Sequence, residues 1–217
     1  MEIYLDTAHV ADIAKAVKTG CISGVTTNPT IVSREGTPLR QCITAIAAVD
    51  PALTILVEAV SPTAKELIDE AHRLAELAAH VVVKLPMTPH GLAAARSLSR
   101  AGIRTTVTLV FGLTQAIAAS CAGAEYIAPF VGRLDDMNMG GLALVRSIKE
   151  TFRAQAVGTK IIAASIRSCQ AVADLFTAGC DVVTMPAAIF WKMLEHPLTE
   201  AGLLQFEKDW KTVPGTL

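Results

Sequence analysis

The sequence predicts an α/β fold, a single (β/α)8 (TIM) barrel with an extra C-terminal helix. Three observations predict it: eight short runs rich in β-branched residues, a longer stretch with helical spacing after each run, and a length of 217 residues, which suits one sizeable core. The runs are nearly continuous in apolar residues, which is typical of strands covered on both faces in a parallel sheet. They are Ile3–Asp6, Ile22–Thr26, Leu53–Val60, Val81–Leu85, Thr105–Val110, Tyr126–Val131, Lys160–Ala164 and Asp181–Met185.

The stretches between the runs contain helix starts. Ser61-Pro62 and Thr88-Pro89 each combine a capping hydroxyl with a proline suited to a first helical turn. Apolar residues spaced by three and four then predict buried helical stripes. These residues are Ala64, Leu67, Ile68, Ala71, Leu74, Ala75 and Ala78 after the third run, Leu92, Ala95 and Leu98 after the fourth, and Leu142, Val145, Ile148 and Phe152 after the sixth.

Eight strands that alternate with helices form either a closed barrel or an open doubly wound sheet. An open sheet is expected to carry a glycine-rich phosphate turn after its first strand, whereas the first run here leads into Asp6–His9. The closed barrel is favoured, with residues 1–217 forming one domain. After the eighth unit His196-Pro197 breaks the chain, and the apolar residues of 198–212 predict one more amphipathic helix. That helix packs either on its own barrel or on a neighbouring subunit.

The composition argues against several classes of function. A formal charge of −1 gives no basic excess, so we expect no nucleic-acid partner. The first ten residues lack the apolar segment of a signal peptide, and no run approaches the roughly 18 apolar residues of a membrane helix. We therefore expect a cytoplasmic protein without membrane contact. The five cysteines form no CxxC pair, and we expect buried free thiols at Cys21, Cys42, Cys121, Cys169 and Cys180.

Polar residues collect where catalytic groups lie in a barrel, at the carboxyl ends of the strands. Seven of the eight runs end in or near such a residue, which core packing alone does not require. The residues are Asp6, Asn28, Glu58, Lys84, Thr108, Arg133, and Ser165 with Arg167. The histidines show no metal-ligand spacing, and neither a G-x-x-x-x-G-K nor a G-x-G-x-x-G segment occurs, so we expect no metal and no nucleotide cofactor.

Lys84 is the most informative of these residues, because it lies inside the apolar segment Val81–Pro86. Burial disfavours the ammonium form, and the free amine that remains attacks a ketone. The alternatives are a lysine that extends from the barrel end to solvent and a structural ion pair. Asp6 and Glu58 would move the protons that such chemistry needs, or would pair with Lys84 structurally. Thr108 would hold a water between Glu58 and the amine, or is simply a strand residue.

Arg133, Ser165 and Arg167 together resemble an anion site. Two guanidinium groups and a hydroxyl after the sixth and seventh runs suit a phosphate, because a guanidinium presents paired donors to its oxygens. The alternative, strongest for Arg133, is a surface arginine paired with Asp135 or Asp136.

Several segments, in order along almost the whole chain, resemble the small-subunit transaldolases and the related fructose-6-phosphate aldolases. The matching segments are Tyr4–Ala8, Gly24–Thr30, Val83–Thr88, Gly91-Leu92, Thr108–Phe111, Gln115-Ala116, Pro129–Asp136, Ala163–Arg167 and His196–Thr199. The resemblance implies sugar phosphate substrates, no cofactor, and a homo-oligomer, a decamer built of pentameric rings whose C-terminal helices reach a neighbour.

The resemblance also implies roles for individual residues. Lys84 would form the Schiff base with a ketose donor, and Asp6 would act as general acid and base at the hydroxyl of the bond being broken. Glu58 and Thr108 would serve water-mediated proton transfers. The residues implied in substrate binding are Asn28, Thr26, Thr106, Ala128, Phe130, Arg133, Ser165 and Arg167, the last three at the phosphate.

Two positions indicate transfer over release of the three-carbon unit. The aldolases of this family carry Gln at the position of Glu58 and Tyr at that of Phe130, so both residues here are of the transaldolase kind. Two others depart from that kind: Thr106 replaces the usual Asn, and Ala128 replaces the usual Ser and matches the aldolases. An aldolase that releases dihydroxyacetone, a transaldolase for a sulfonated ketose, and a non-catalytic sugar-phosphate-binding barrel remain as alternatives.

Overall fold

The computed structural model describes residues 1–215, so the last two residues of the predicted domain, Thr216 and Leu217, lie outside the described part. It confirms the barrel: eight parallel strands pair in sequence order, and the eighth closes on the first. The strands are β1 (Glu2–Asp6), β2 (Ile22–Thr26), β3 (Thr54–Glu58), β4 (Val81–Pro86), β5 (Thr105–Val110), β6 (Tyr126–Pro129), β7 (Lys160–Ala163) and β8 (Val182–Met185).

Helices cover the outside of the barrel, and within residues 1–215 none is long and apolar enough to cross a bilayer. They are α1 (Val10–Val17), α2 (Pro29–Glu35), α3 (Leu39–Val49), α4 (Ala64–Ala75), α5 (Pro89–Arg100), α6 (Leu113–Cys121), α7 (Val131–Asp136), α8 (Gly141–Ala154), α9 (Cys169–Thr177), α10 (Ala187–Leu194) and α11 (Pro197–Trp210).

Two of the predicted helix starts have different outcomes. Thr88 caps α5 by accepting a hydrogen bond from the backbone of Gly91, with Pro89 in the first turn, as expected. Ser61 does not cap α4. The cap is Thr63, which accepts from the Glu66 N–H at 3.3 Å and donates to the Glu66 carboxylate at 2.6 Å, so that a capping box starts the helix two residues later.

One predicted helix and two predicted strands are longer than the observed ones. The helical stripe after the third run stops at Ala75, so Ala78 is not helical. The third strand is shorter at both ends than Leu53–Val60, and the sixth ends at Pro129 because Val131 begins α7.

The cysteine prediction is wrong in part. All five thiols are free, and Cys42 and Cys180 are buried, whereas Cys21 and Cys121 are exposed and Cys169 is half-buried. Cys21 lies just before the start of β2 and Cys121 is the last residue of α6, and at both positions the side chain faces solvent.

The alternation of side chains along the strands places two layers inside the barrel. The lower layer, here called the plug, is largely apolar, and the upper layer, at the carboxyl ends, holds the polar side chains. Successive side chains of a strand point to opposite faces, so residues two apart share the interior. The lower interior is filled by Tyr4, Leu56, Val82, Tyr126, Ile162 and Val182. Two positions further along the same strands, one layer nearer the carboxyl ends, lie Asp6, Glu58, Lys84, Ala128, Ala164 and Thr184.

Polar side chains meet below the plug, at the amino end of the barrel. Arg104 donates to both carboxylate oxygens of Glu125 at 2.8 and 2.9 Å, and to the Tyr126 hydroxyl at 3.0 Å. The Tyr4 hydroxyl donates to Glu2 at 2.9 Å. The hydroxyls of the two large plug residues are thus hydrogen-bonded, as buried phenols require.

The predicted C-terminal helix is present as α11, which follows His196 and begins at Pro197. The structure buries none of its side chains. Its large apolar residues are exposed over more than half of their surface: Leu198, Leu203, Leu204, Phe206 and Trp210. The helix therefore does not pack its apolar residues on its own barrel.

Candidate active site

A cavity of about 130 Å³ opens at the carboxyl ends of the strands. A single water needs roughly 10–15 Å³ measured in this way, so the cavity has room for a small polar ligand. All predicted site residues except Glu58 and Thr106 line it, together with six that were not predicted. The lining residues are Asp6, Thr26, Asn28, Leu56, Lys84, Thr108, Ala128, Phe130, Arg133, Ile162, Ala164, Ser165, Ile166, Arg167, Thr184 and Pro186.

Lys84 is buried, with 5% of its surface exposed, and its amine is held on two sides. Nζ lies 3.0 Å from Glu58 Oε2 and donates to the Thr27 carbonyl at 2.8 Å. The register of the sheet explains the pair, because Glu58 and Lys84 are direct partners of β3 and β4. The sequence-based alternative of a lysine extended into solvent is wrong, since the amine points into the barrel.

Glu58 lies beside Lys84 without lining the central cavity. Its side chain, 15% exposed, borders a separate cavity together with Thr27, Asn28 and Val57. A carboxylate in this position can exchange a proton with the amine and with water, while it leaves the central cavity to a ligand.

Asp6 lies across the cavity on β1, and its carboxylate is fixed by a hydroxyl. Thr26 Oγ1 donates to Asp6 Oδ1 at 2.7 Å, and Thr184 Oγ1 lies 2.6 Å from Thr26 Oγ1. Burial raises the pKa of Asp6 above its ordinary value, while the Thr26 hydrogen bond and the charge of Lys84 act in the opposite direction. A carboxyl with a raised pKa is suited to both giving and taking a proton near neutral pH.

Strand β5 contributes three buried threonines whose hydroxyls have no hydrogen-bond partner within residues 1–215. They are Thr105, Thr106 and Thr108. Thr108 lines the cavity and is available to a water or a ligand there. Thr106 is the register partner of Lys84 and lies below the lining, so the structure does not bring this predicted residue to the cavity surface.

The two predicted arginines lie together at the opposite side of the cavity from β3. The Arg133 guanidinium stacks on Phe130, 4.7 Å from the ring centroid. Arg167 Nη2 pairs with Asp136 Oδ2 at 3.0 Å, in an exposed contact. The surface pairing considered for Arg133 therefore occurs at Arg167, while Asp135 accepts from the Gly141 backbone at 2.8 Å.

Close backbone packing holds the two arginines on this side of the cavity. Ser165, two residues before Arg167, adopts a left-handed conformation with φ of 63°. A Cβ on Gly132 would lie 1.8 Å from the Ser165 carbonyl oxygen and 3.0 Å from the Arg167 side chain. Only glycine allows α7, which carries Arg133, to approach the loop that carries Arg167 this closely.

Asn28 has a local role as well as a place in the cavity. Its Oδ1 caps α2 by accepting from the Ile31 N–H at 3.0 Å. The carboxamide nitrogen is thereby left as the group that can donate to a ligand.

Thr184 is the main residue that sequence reasoning missed. It is the inward-facing hydroxyl of β8, the one strand for which no site residue was predicted. The available signal was a single polar residue in an otherwise apolar run, two positions after the plug residue Val182. The Thr27 carbonyl was also missed, since a backbone acceptor leaves no side-chain signal.

Comparison with known proteins identifies the family. The family model described as transaldolase/fructose-6-phosphate aldolase matches residues 3–217. A probable transaldolase of Aquifex aeolicus is 46% identical, over 99% of this chain and 98% of the relative. The chain belongs to the transaldolase/fructose-6-phosphate aldolase family.

Other comparisons agree with this assignment. Probable transaldolases of Pelotomaculum thermopropionicum and Brachyspira hyodysenteriae are 45% and 43% identical, each over at least 98% of both chains. A thiamine phosphate pyrophosphorylase from Pyrococcus furiosus superposes with a TM-score of 0.59 over 85% of each chain, at 16% identity, which indicates a shared barrel fold alone. The sequence-based family prediction is confirmed, and the chain is an enzyme of the transaldolase/fructose-6-phosphate aldolase family.

Proposed function

We propose that this enzyme is a transaldolase that moves a dihydroxyacetone unit from a ketose phosphate to an aldose phosphate through a Schiff base on Lys84. The observation that carries the proposal is the placement of the Lys84 amine, held between Glu58 at 3.0 Å and the Thr27 carbonyl at 2.8 Å in a cavity that also contains Asp6. A buried amine beside a proton-accepting carboxylate, in a cavity that holds a second carboxylate, has the arrangement of an activated nucleophile.

The reaction then follows in balanced steps. Glu58 takes a proton from the Lys84 ammonium, and the free amine adds to C2 of the ketose. After a proton passes from the nitrogen to the C2 oxygen, Glu58 returns its proton to the C2 hydroxyl, which leaves as a water held by Thr108 and gives the iminium. Asp6 takes the proton of the C4 hydroxyl as the C3–C4 bond breaks, which releases an aldose and leaves an enamine on the lysine. Addition of an acceptor aldehyde and return of the Asp6 proton, followed by hydrolysis of the new iminium, complete the transfer.

Arg133, Arg167 and Ser165 are proposed to bind the terminal phosphate. All three line the same side of the cavity, and a pair of guanidinium groups matches phosphate oxygens. Asn28 would donate to the dihydroxyacetone part through its free carboxamide nitrogen. A sulfonate presents oxygens of similar geometry, so a sulfonated ketose is the second donor to test.

Transfer is favoured over release by Phe130. Its ring lies against Phe111, with centroids 5.8 Å apart, and under Arg133. An aromatic ring without a hydroxyl neither delivers a proton to the enamine nor orders a water beside it, so the enamine waits for an aldehyde. Ala128 in the cavity lining is the observation that favours the alternative, an aldolase that releases free dihydroxyacetone.

Borohydride trapping tests the covalent step. Incubation with fructose 6-phosphate and borohydride is expected to give a stable adduct on Lys84, detected by mass spectrometry of peptides. Lys84→Ala should abolish it, and Lys65→Ala, on the exposed surface of α4, should not. An adduct that survives Lys84→Ala would contradict the proposal.

The donor alone discriminates transfer from release. Fructose 6-phosphate without acceptor should give less than one equivalent of product per site, and an added aldose phosphate should restore turnover. Sustained formation of free dihydroxyacetone would establish the aldolase alternative instead.

The exposed apolar residues of α11 support the further proposal that residues 198–212 pack on a neighbouring subunit of a cytoplasmic homo-oligomer, pentamer or decamer. Phe206, with 71% of its surface exposed, is the residue to change. Phe206→Asp should lower the mass measured by light scattering, and Gln205→Asp at the adjacent position serves as the control. An unchanged assembly in Phe206→Asp would remove this helix from the interface.

A further inference from the structure

Two threonine hydroxyls and the Asp6 carboxylate form a chain of hydrogen bonds that spans the neighbouring strands β8, β1 and β2. Thr26 on β2 lies 2.7 Å from Asp6 Oδ1 on β1, and Thr184 on β8 lies 2.6 Å from the Thr26 hydroxyl. Strands β2 and β8 flank β1 in the closed sheet, so both threonines reach over Asp6 from its two sides. Both are buried, with 3% and 2% of their surfaces exposed.

The number of available protons fixes which group donates and which accepts in this hydrogen-bond chain. An ionised carboxylate only accepts, and a hydroxyl has one proton to donate. When Asp6 is ionised, the Thr26 proton must point to Asp6 Oδ1, so the contact between the threonines requires Thr184 as the donor. The order is Thr184 to Thr26 to Asp6.

We propose that Thr184 is a positioning residue for the acid–base chemistry of Asp6. By donating to Thr26, it commits the single Thr26 proton to Asp6 Oδ1. Oδ2 is then the oxygen that exchanges a proton with the substrate hydroxyl. This inference rests on the proposed function, in which Asp6 takes and returns that proton.

The surroundings of Asp6 explain why a neutral donor matters. Lys84 stabilises the ionised form and Glu58 opposes it, and Arg133 and Arg167 line the same cavity. The flanking strands β2 and β8 contain no ionisable residue, so they contribute hydroxyls only.

On the helix side, His9 after β1 pairs with Asp12 of α1 at 3.2 Å, and α10 carries Lys192.

Thr184 acts by polarising Thr26, since hydrogen bonds in a chain strengthen one another by about 10–30%.

The experiment is the pH dependence of kcat/KM for donor–acceptor exchange in Thr184→Val, which keeps the shape of the side chain and removes its hydroxyl. Without the Thr184 proton, ionised Asp6 is less stabilised, so the acid limb should move to higher pH by about half a unit. Thr26→Val, which removes the direct hydrogen bond, should move it by about 1–2 units in the same direction. Thr184→Ser should restore the wild-type limb.

Thr105→Val is the matched control, because it is the same change at a buried threonine of β5 outside the cavity lining. Its acid limb should coincide with that of the wild type. If Thr184→Val does not fold, Thr184→Ala provides the same measurement. A higher KM for the donor with an unmoved acid limb would show that Thr184 contacts substrate directly and would overturn the proposal.

Trapping on Lys84 separates this inference from the function on which it rests. No borohydride adduct in the wild-type enzyme would overturn the proposed function. An adduct in the wild type together with an unmoved acid limb in Thr184→Val would overturn only the role of Thr184.

Discussion

The Lys84 amine lies 3.0 Å from the Glu58 carboxylate, and the two residues are direct register partners on neighbouring strands. The pair is nearly shielded from water, yet Glu58 borders a cavity of its own, separate from the one that Lys84 lines. The carboxylate therefore lies next to the amine without occupying the space of the central cavity.

Glu58→Gln tests this arrangement, because the amide keeps the shape and an accepting oxygen but takes up no proton. The exchange rate should fall by about 10²–10⁴, the usual contribution of a positioned acid–base group, with little change in KM. Steady-state kinetics and the rate of single-turnover trapping measure the effect. Glu150→Gln, an exposed carboxylate on α8, should leave both unchanged. A wild-type exchange rate in Glu58→Gln would refute the role given to this carboxylate.

Asp6→Asn is expected to stabilise the protein at neutral pH while it removes activity. Burial raises the pKa of Asp6 in the folded state above its ordinary value of 3.8, so the folded protein binds a proton more readily than the unfolded chain. The resulting penalty on stability is present above the folded-state pKa and vanishes below 3.8.

The free energy of unfolding at pH 7 should therefore rise in Asp6→Asn, with Tm higher by about 2–4 °C for a gain of about 1 kcal/mol. Thermal scans from pH 7 down to pH about 4 should show the gap to wild type closing as the wild-type carboxyl becomes protonated. A gap that widened on acidification would contradict the raised pKa. Exchange activity should fall by about 10²-fold or more.

Gly132→Ala should disturb anion binding from a distance. The added Cβ would lie 1.8 Å from the Ser165 carbonyl oxygen, which forces α7 away from the loop that carries Arg167. We expect a loss of about 1–3 kcal/mol in the free energy of unfolding and a raised KM for phosphorylated substrates. Gly158→Ala, where a Cβ meets nothing within 4 Å, is the control for denaturation and kinetics. Equal behaviour of the two variants would count against the close approach.

Arg104→Gln should affect stability alone, since Arg104 lies at the amino end of the barrel. The change removes the donor to Glu125 and to the Tyr126 hydroxyl, and about 1 kcal/mol of the free energy of unfolding should be lost. Burial is the largest single influence and opposes the ionised form of Glu125, but the hydrogen bonds and the charge of Arg104, with smaller contributions from Tyr126 and Lys160, together lower its pKa below the ordinary value of 4.5.

A lowered carboxyl pKa stabilises the folded state above the unfolded value, and that stabilisation is lost as pH falls through the folded value. The difference in unfolding free energy between wild type and Arg104→Gln should therefore shrink below pH 4.5. Denaturant titrations across this range measure it, with exchange kinetics expected to match the wild type. A large loss of activity would show that the amino end of the barrel is coupled to the site.

The strands, the barrel and most of the cavity can be predicted from the sequence alone. Strands covered on both faces must be apolar along their length, so each run is visible without knowledge of its neighbours. Lys84 and Asp6 stand out for the same reason: an ionisable residue in or at the end of such a run has no solvent to face unless it belongs to a site at the strand ends. The exposed apolar positions of α11 were equally visible in their spacing.

Which of these groups are in contact depends on how the folded chain brings distant residues together. Thr26 and Thr184 are 158 residues apart in the chain and meet because the sheet closes. The Thr27 carbonyl reaches Lys84 on β4 because β3 pairs with both β2 and β4. The choice of Arg167 over Arg133 as the partner of Asp136 likewise depends on loop and side-chain geometry. Such contacts are set by register, closure and side-chain conformation over a few ångströms, and the pattern of residue types along the chain carries no record of those distances.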